Sequence, residues 1–86
     1  MTVIKTLSPE PAYRLFVTRR NTAQKDFASN RQSLASHLNQ HLAAGCDGIY
    51  VMEVASGKIK YVTLVDGQAC WTDVPERMAR TVRTYF

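Results

Sequence analysis

No stretch of the 86 residues approaches the roughly 18–20 consecutive apolar positions that a membrane-spanning helix requires, so no membrane partner is expected. Cysteine is scarce. Cys46 and Cys70 stand alone and far apart, too few for a disulfide framework, and read as reduced thiols. There is no Gly-rich stretch of the kind that cradles phosphates, which removes the common nucleotide-binding classes. The start, Met1-Thr2-Val3-Ile4-Lys5, lacks the charged region, long apolar region and small-residue cleavage site of a secretory signal, and a cytoplasmic location is expected. A chain of this length makes one small domain, residues 1–86, with room for a modest core.

What is present is charge, and it is segregated. Residues Met1 to Arg31 hold six Lys/Arg against Glu10 and Asp26, the middle from Gln32 to Glu76 is net acidic, and the tail adds Arg77, Arg80 and Arg83. Basic ends around an acidic middle favour polyanionic or acidic partners.

The densest structural signal runs from Gly48 to Asp73. Three apolar-rich runs are joined by Ser56-Gly57 and Asp66-Gly67, two-residue connections suited to tight hairpins, which predicts a three-stranded antiparallel meander. Closing the hairpins on those dipeptides pairs Ala55 with Lys58 and Val65 with Gln68. One face then holds Tyr50, Met52, Val54, Ile59, Tyr61, Thr63, Val65, Cys70, Thr72 and Val74 and is expected to be core. The other holds a Glu53-Lys60-Asp73 row, the mark of a solvent face, beside an apolar patch of Val51, Val62, Trp71, Ile49, Leu64 and Ala69. That patch needs a cover, from another segment or from a partner.

Around the meander the order is simple. Residues 1–11 are weakly specified, with Val3 and Ile4 fit for an edge strand but Pro9 and Pro11 against any regular element across them. Tyr13, Leu15 and Val17 alternate with Arg14, Phe16 and Thr18 in a strand, Asn21 to Gln24 turns, and Lys25 to Ala28 returns. A helix follows, capped by Ser29 with Gln32, striped by Leu34, Leu38 and Leu42, and ended by Gly45. It is expected to cover Tyr50, Met52, Ile59 and Tyr61, so that Leu38, Met52 and Tyr61 are buried together. A short helix over residues 75–86 starts from an Asp73/Glu76 capping box with Pro75 in its first turn, and its Met78, Val82 and Phe86 stripe is placed over Trp71. The fold class is α+β: an antiparallel sheet of about five strands in ββαβββ order packed on one helix, with a short C-terminal helix.

Chemistry-bearing residues are few. His37 and His41 lie one helical turn apart, and with Cys46 and Cys70 they offer two nitrogen and two sulfur donors, but the close thiolate pair of a zinc site is missing. Neither cysteine has a partner that marks a nucleophile, so no catalytic residue, metal or cofactor is expected. Arginine is the better lead. Arg77, Arg80 and Arg83 recur along the terminal helix on a face without core duty, so reversing Arg80 and Arg83 is expected to spare stability. Arg19 and Arg20 end a strand, and Lys58 and Lys60 lie with Trp71 on the outer sheet face. These eight residues are the expected partner-binding set.

The strand order, the Gly-containing turn after Glu53, the Asp66-Gly67 turn and Trp71 followed by Asp73 together resemble the small phage anti-CRISPR proteins, in particular inhibitors of type I surveillance complexes built as one helix on a curved five-stranded sheet. The resemblance covers roughly Tyr13 to Asp73, and the terminal helix is an addition to the pattern. It implies a non-catalytic inhibitor from a phage or other mobile element, acting in the host bacterial cell, which binds subunits of the surveillance complex and obstructs target DNA. The net positive charge argues against DNA mimicry. The alternative drawn from charge alone is a small basic nucleic-acid-binding accessory protein.

Overall fold

The computed structural model describes residues 12–86, and the expectation for residues 1–11 lies outside them. Five strands and two helices follow in the order β1 (Tyr13–Thr18), β2 (Ala23–Ala28), α1 (Arg31–Ala43), β3 (Gly48–Glu53), β4 (Ile59–Val65), β5 (Gln68–Asp73) and α2 (Glu76–Arg83). All neighbouring strands are antiparallel, in the spatial order β2-β1-β3-β4-β5. This is the α+β architecture expected from the sequence.

With β1 in the middle, β2 and β3 run parallel to each other and α1 is the crossover between them. Such crossovers are right-handed in nearly all proteins, which ties the helix to one face once the strand order is set. That face is the one carrying Leu15, Val17, Ile49, Val51 and Val62, which pack with Leu34, Leu38 and Leu42 into the main core. The expected faces are therefore exchanged. Met52, Tyr50 and Ile59 lie on the opposite side, where they pack against Ala79, Val82 and Phe86 of the C-terminal segment. Leu38 is buried as expected, but not with Met52 and Tyr61. Of the expected α2 stripe, Val82 and Phe86 pack inward, while Ala79 is buried in place of Met78, which is half exposed.

The two hairpins differ in kind. Asp66 and Gly67 both take positive φ (53° and 80°), as a type I′ turn demands, and β4 pairs with β5 in the expected register, Val65 opposite Gln68. Between β3 and β4 only Gly57 has positive φ (75°), and the loop widens to Val54-Ala55-Ser56-Gly57, closed by the Glu53 amide on the Lys58 carbonyl at 2.9 Å. The register shifts by two residues, so Lys60 faces Val51 rather than Glu53, and Ile49 faces Val62. A two-residue shift preserves parity, so every side chain keeps its face.

Helix ends follow local chemistry. Asn30, not Ser29, caps α1, its side-chain oxygen accepting the Ser33 amide at 2.8 Å, and Gly45 (φ 86°) ends the helix as expected. Asp73 is committed to the ladder opposite Lys60, so no capping box forms at α2. Pro75 is the N-cap instead, and its carbonyl accepts the Met78 and Ala79 amides. Gly48 has a packing reason: the Tyr61 ring lies where its Cβ would stand.

Candidate functional site

A helix is about 10–12 Å across, whereas five strands at about 4.8 Å spacing span roughly twice that width, so α1 cannot roof its whole face. It covers the centre and leaves β5 open, and all six β5 residues are exposed. Trp71 stands in the gap, on the α1 side, 45% exposed. The expected cover from the terminal helix does not form, because α2 lies on the other face.

Between the N-terminal half of α1 and the outer strands runs an open groove of about 460 Å³. Leu34, Ala35, Leu38 and Val51 form its floor, Tyr13 and Trp71 its aromatic walls, and Arg31, Lys58, Lys60 and Glu53 its charged rim. Lys60 also reaches Asp73 on β5 at 3.8 Å, a loose ion pair that keeps the ammonium beside Trp71. Arg31, Lys58 and Lys60 outnumber the carboxylates of Glu53 and Asp73 around an apolar floor, which suits an acidic ligand with an aromatic or aliphatic anchor.

The structure divides the eight sequence-derived residues. Lys58, Lys60 and Trp71 share this groove; Arg77, Arg80 and Arg83 belong to α2 on the far face, and Arg19 and Arg20 to the β1–β2 turn. Arg83 is not spare, contrary to expectation. Its Nη1 and Nη2 donate to Glu76 at 2.8 and 3.0 Å, and its Nε and Nη2 donate to the Gly57 carbonyl at 3.1 and 2.9 Å, which ties α2 to the β3–β4 loop. The guanidinium holds the Glu76 carboxyl below its ordinary range, and the carboxylate raises Arg83 in turn. Arg31, Tyr13 and Leu34 were missed as groove residues. For Arg31 and Leu34 the signal was present in the first turn of a helix whose apolar stripe begins at Leu34, and for Tyr13 in its place on the Leu15 and Val17 side of β1.

The cysteines do not converge with the histidines. Cys46 packs at the edge of the main core, where burial pushes its thiol up and away from a reactive thiolate, and Cys70 lies exposed on the face away from α1. His37 and His41 instead meet Asp26 of β2, each ring nitrogen 2.9 Å from the same Oδ2. Partial burial raises the Asp26 carboxyl, but hydrogen bonds from His41 and the Phe27 amide, with the histidine charges, outweigh it and leave the group below its ordinary value.

No family of known proteins, no curated protein and no solved structure matches the chain. No helix among the described residues is long and apolar enough to cross a membrane.

Proposed function

We propose that the protein is a non-catalytic binding protein of the host cytoplasm that docks on another protein through the Trp71 groove and the β5 edge. Following the resemblance to phage anti-CRISPR inhibitors, its partner is a type I CRISPR–Cas surveillance complex, whose target DNA binding it obstructs. The observation that carries the binding role is Trp71, a large aromatic half exposed at the wall of an apolar groove rimmed by Arg31, Lys58 and Lys60. Half-buried aromatics beside cations are the residues that dominate protein interfaces. Charge complementarity selects a partner segment bearing carboxylates around an apolar anchor. An extended segment gains further by pairing with β5, which has no strand on its outer side among the described residues.

The test uses purified type I surveillance complexes and measures target DNA binding with and without the protein. Wild-type protein is expected to block it, and Trp71→Ala with Lys60→Glu to weaken binding by about 2 kcal/mol or more, the scale of an interface hot spot. An inert wild type, or a double variant as potent as the wild type, refutes the assignment. Tight binding to bare nucleic acid, with affinity falling steeply with salt, supports the nucleic-acid accessory reading instead, with Arg77 and Arg80 as phosphate contacts.

A further inference from the structure

From the convergence of His37 Nδ1, His41 Nε2 and Asp26 Oδ2 we infer a binding site for a divalent transition metal, Zn²⁺ or a close analogue, between β2 and α1. The three donor atoms lie within 4.8 Å of one another. Each histidine nitrogen is 2.9 Å from the carboxylate oxygen. In a tetrahedral zinc site with bonds of about 2.0–2.1 Å, ligand atoms stand about 3.3 Å apart, so admitting the ion opens each histidine–carboxylate contact by about 0.4 Å, while the two ring nitrogens, within 4.8 Å of each other, settle to the same spacing.

The ligands are already aimed. His37 and His41 are one turn apart on α1 and present their rings to the same side, while the pairing of Asp26 with Leu15 directs the carboxylate towards the helix. The second Asp26 oxygen accepts the Phe27 amide at 2.8 Å, which fixes the carboxylate plane and leaves Oδ2 for the ion. His41 is buried, whereas the His37 and Asp26 side chains are 32% and 23% exposed, so an ion has an entry path and a solvent-facing coordination position. Two imidazoles with one carboxylate favour zinc, cobalt or nickel over calcium or magnesium, which take oxygen donors. The cysteines take no part, and the site departs from the expectation of no metal, which weighed the two histidines only with Cys46 and Cys70 and not with Asp26.

The experiment is a Zn²⁺ titration of the full chain against a chromophoric chelator, after stripping with EDTA. One equivalent is expected to bind, at least tenfold more weakly in His37→Ala and unchanged in the Cys46→Ser/Cys70→Ser variant. His37 lies at the helix surface, and a circular dichroism melt checks that its variant folds. A second readout needs no substitution: Co²⁺ added to the wild type is expected to shift the His37 and His41 ring protons first and to give no thiolate charge-transfer band. Absence of stoichiometric binding, equal affinity in His37→Ala, loss of binding with the cysteines, or cobalt shifts centred elsewhere would each overturn the site.

Discussion

The exchange of faces between the two helices makes a quantitative prediction, testable by double-mutant cycles on Leu38. Its side chain is only 5% exposed and sits in the cluster with Val51, Ile49 and Leu15, while Met52 points to the other side of the sheet. Replacing Leu38 by Ala removes three carbons, about 2.4 kcal/mol at roughly 0.8 per methylene, plus a cavity term. The cavity term is small here, because Leu38 floors an open groove and water can fill the vacated space. The expected loss is therefore about 2–3 kcal/mol, near the low end of measured Leu→Ala costs, or a drop in Tm of about 10–20 °C for a domain of this size. Val51→Ala removes two carbons and is expected to cost about 1.6 kcal/mol. Because Leu38 and Val51 share the cluster, the double variant is expected to depart from additivity by about 0.5 kcal/mol or more. Leu38→Ala with Met52→Ala is expected to be additive within about 0.3–0.5 kcal/mol, as holds for side chains without shared partners. Urea denaturation followed by circular dichroism supplies all six free energies. Coupling between Leu38 and Met52, with additivity between Leu38 and Val51, would place α1 on the opposite face and refute the packing.

Three further predictions test other parts of the structure. Arg83→Ala is expected to lower Tm while Arg80→Ala leaves it unchanged, because only Arg83 bridges Glu76 and the Gly57 carbonyl; equal effects would remove the clamp. Glu76, held below its ordinary value, contributes stability that is present above the unfolded-state value and lost as pH falls through the folded one. The Tm difference between wild type and Glu76→Gln is therefore expected to be full at neutral pH and to close in acid, as pH falls through the lowered folded-state value. Gly48→Ala would drive a methyl into the Tyr61 ring and is expected to cost about 1–3 kcal/mol, with much of that recovered in a Tyr61→Leu background. An equal cost in both backgrounds would trace the effect to the backbone instead.

Local chemistry made the element order and one hairpin legible in the sequence. Asp66-Gly67 reads correctly because both residues tolerate the positive φ that a type I′ turn needs. Ser56-Gly57 misleads because serine does not share that tolerance, and the chain uses a four-residue loop with Gly57 alone in the left-handed region. Alternation within each strand sorted the side chains into two sets correctly, and it survived the register shift because that shift is even. Which helix covers which set was not legible. It depends on β1 pairing with both β2 and β3, a non-local arrangement that no turn signal encodes.

The same division explains the candidate sites. Trp71, Lys58 and Lys60 were readable as neighbours because they belong to one local meander, and of the apolar patch that demanded a cover α1 supplies it for Ile49, Val51 and Val62, while Trp71 and Leu64 stay about half exposed among the described residues. Asp26 was invisible as a partner of the histidines, since it lies in a separate strand and counts in sequence only as one acid in a basic segment. The nearest signal was its place in the alternation of Gln24, Asp26 and Ala28, which sets a carboxylate on the same side as a buried alanine while Phe27 points outward, 64% exposed. A strand that turns its aspartate inward and its phenylalanine outward reverses the usual preference. Such a reversal is expected where the inward carboxylate has a polar task, and here His37 and His41 supply it. The inverted polarity of β2 and the i, i+4 histidines of α1 are therefore two halves of one feature, joined only when the crossover brings helix and strand together.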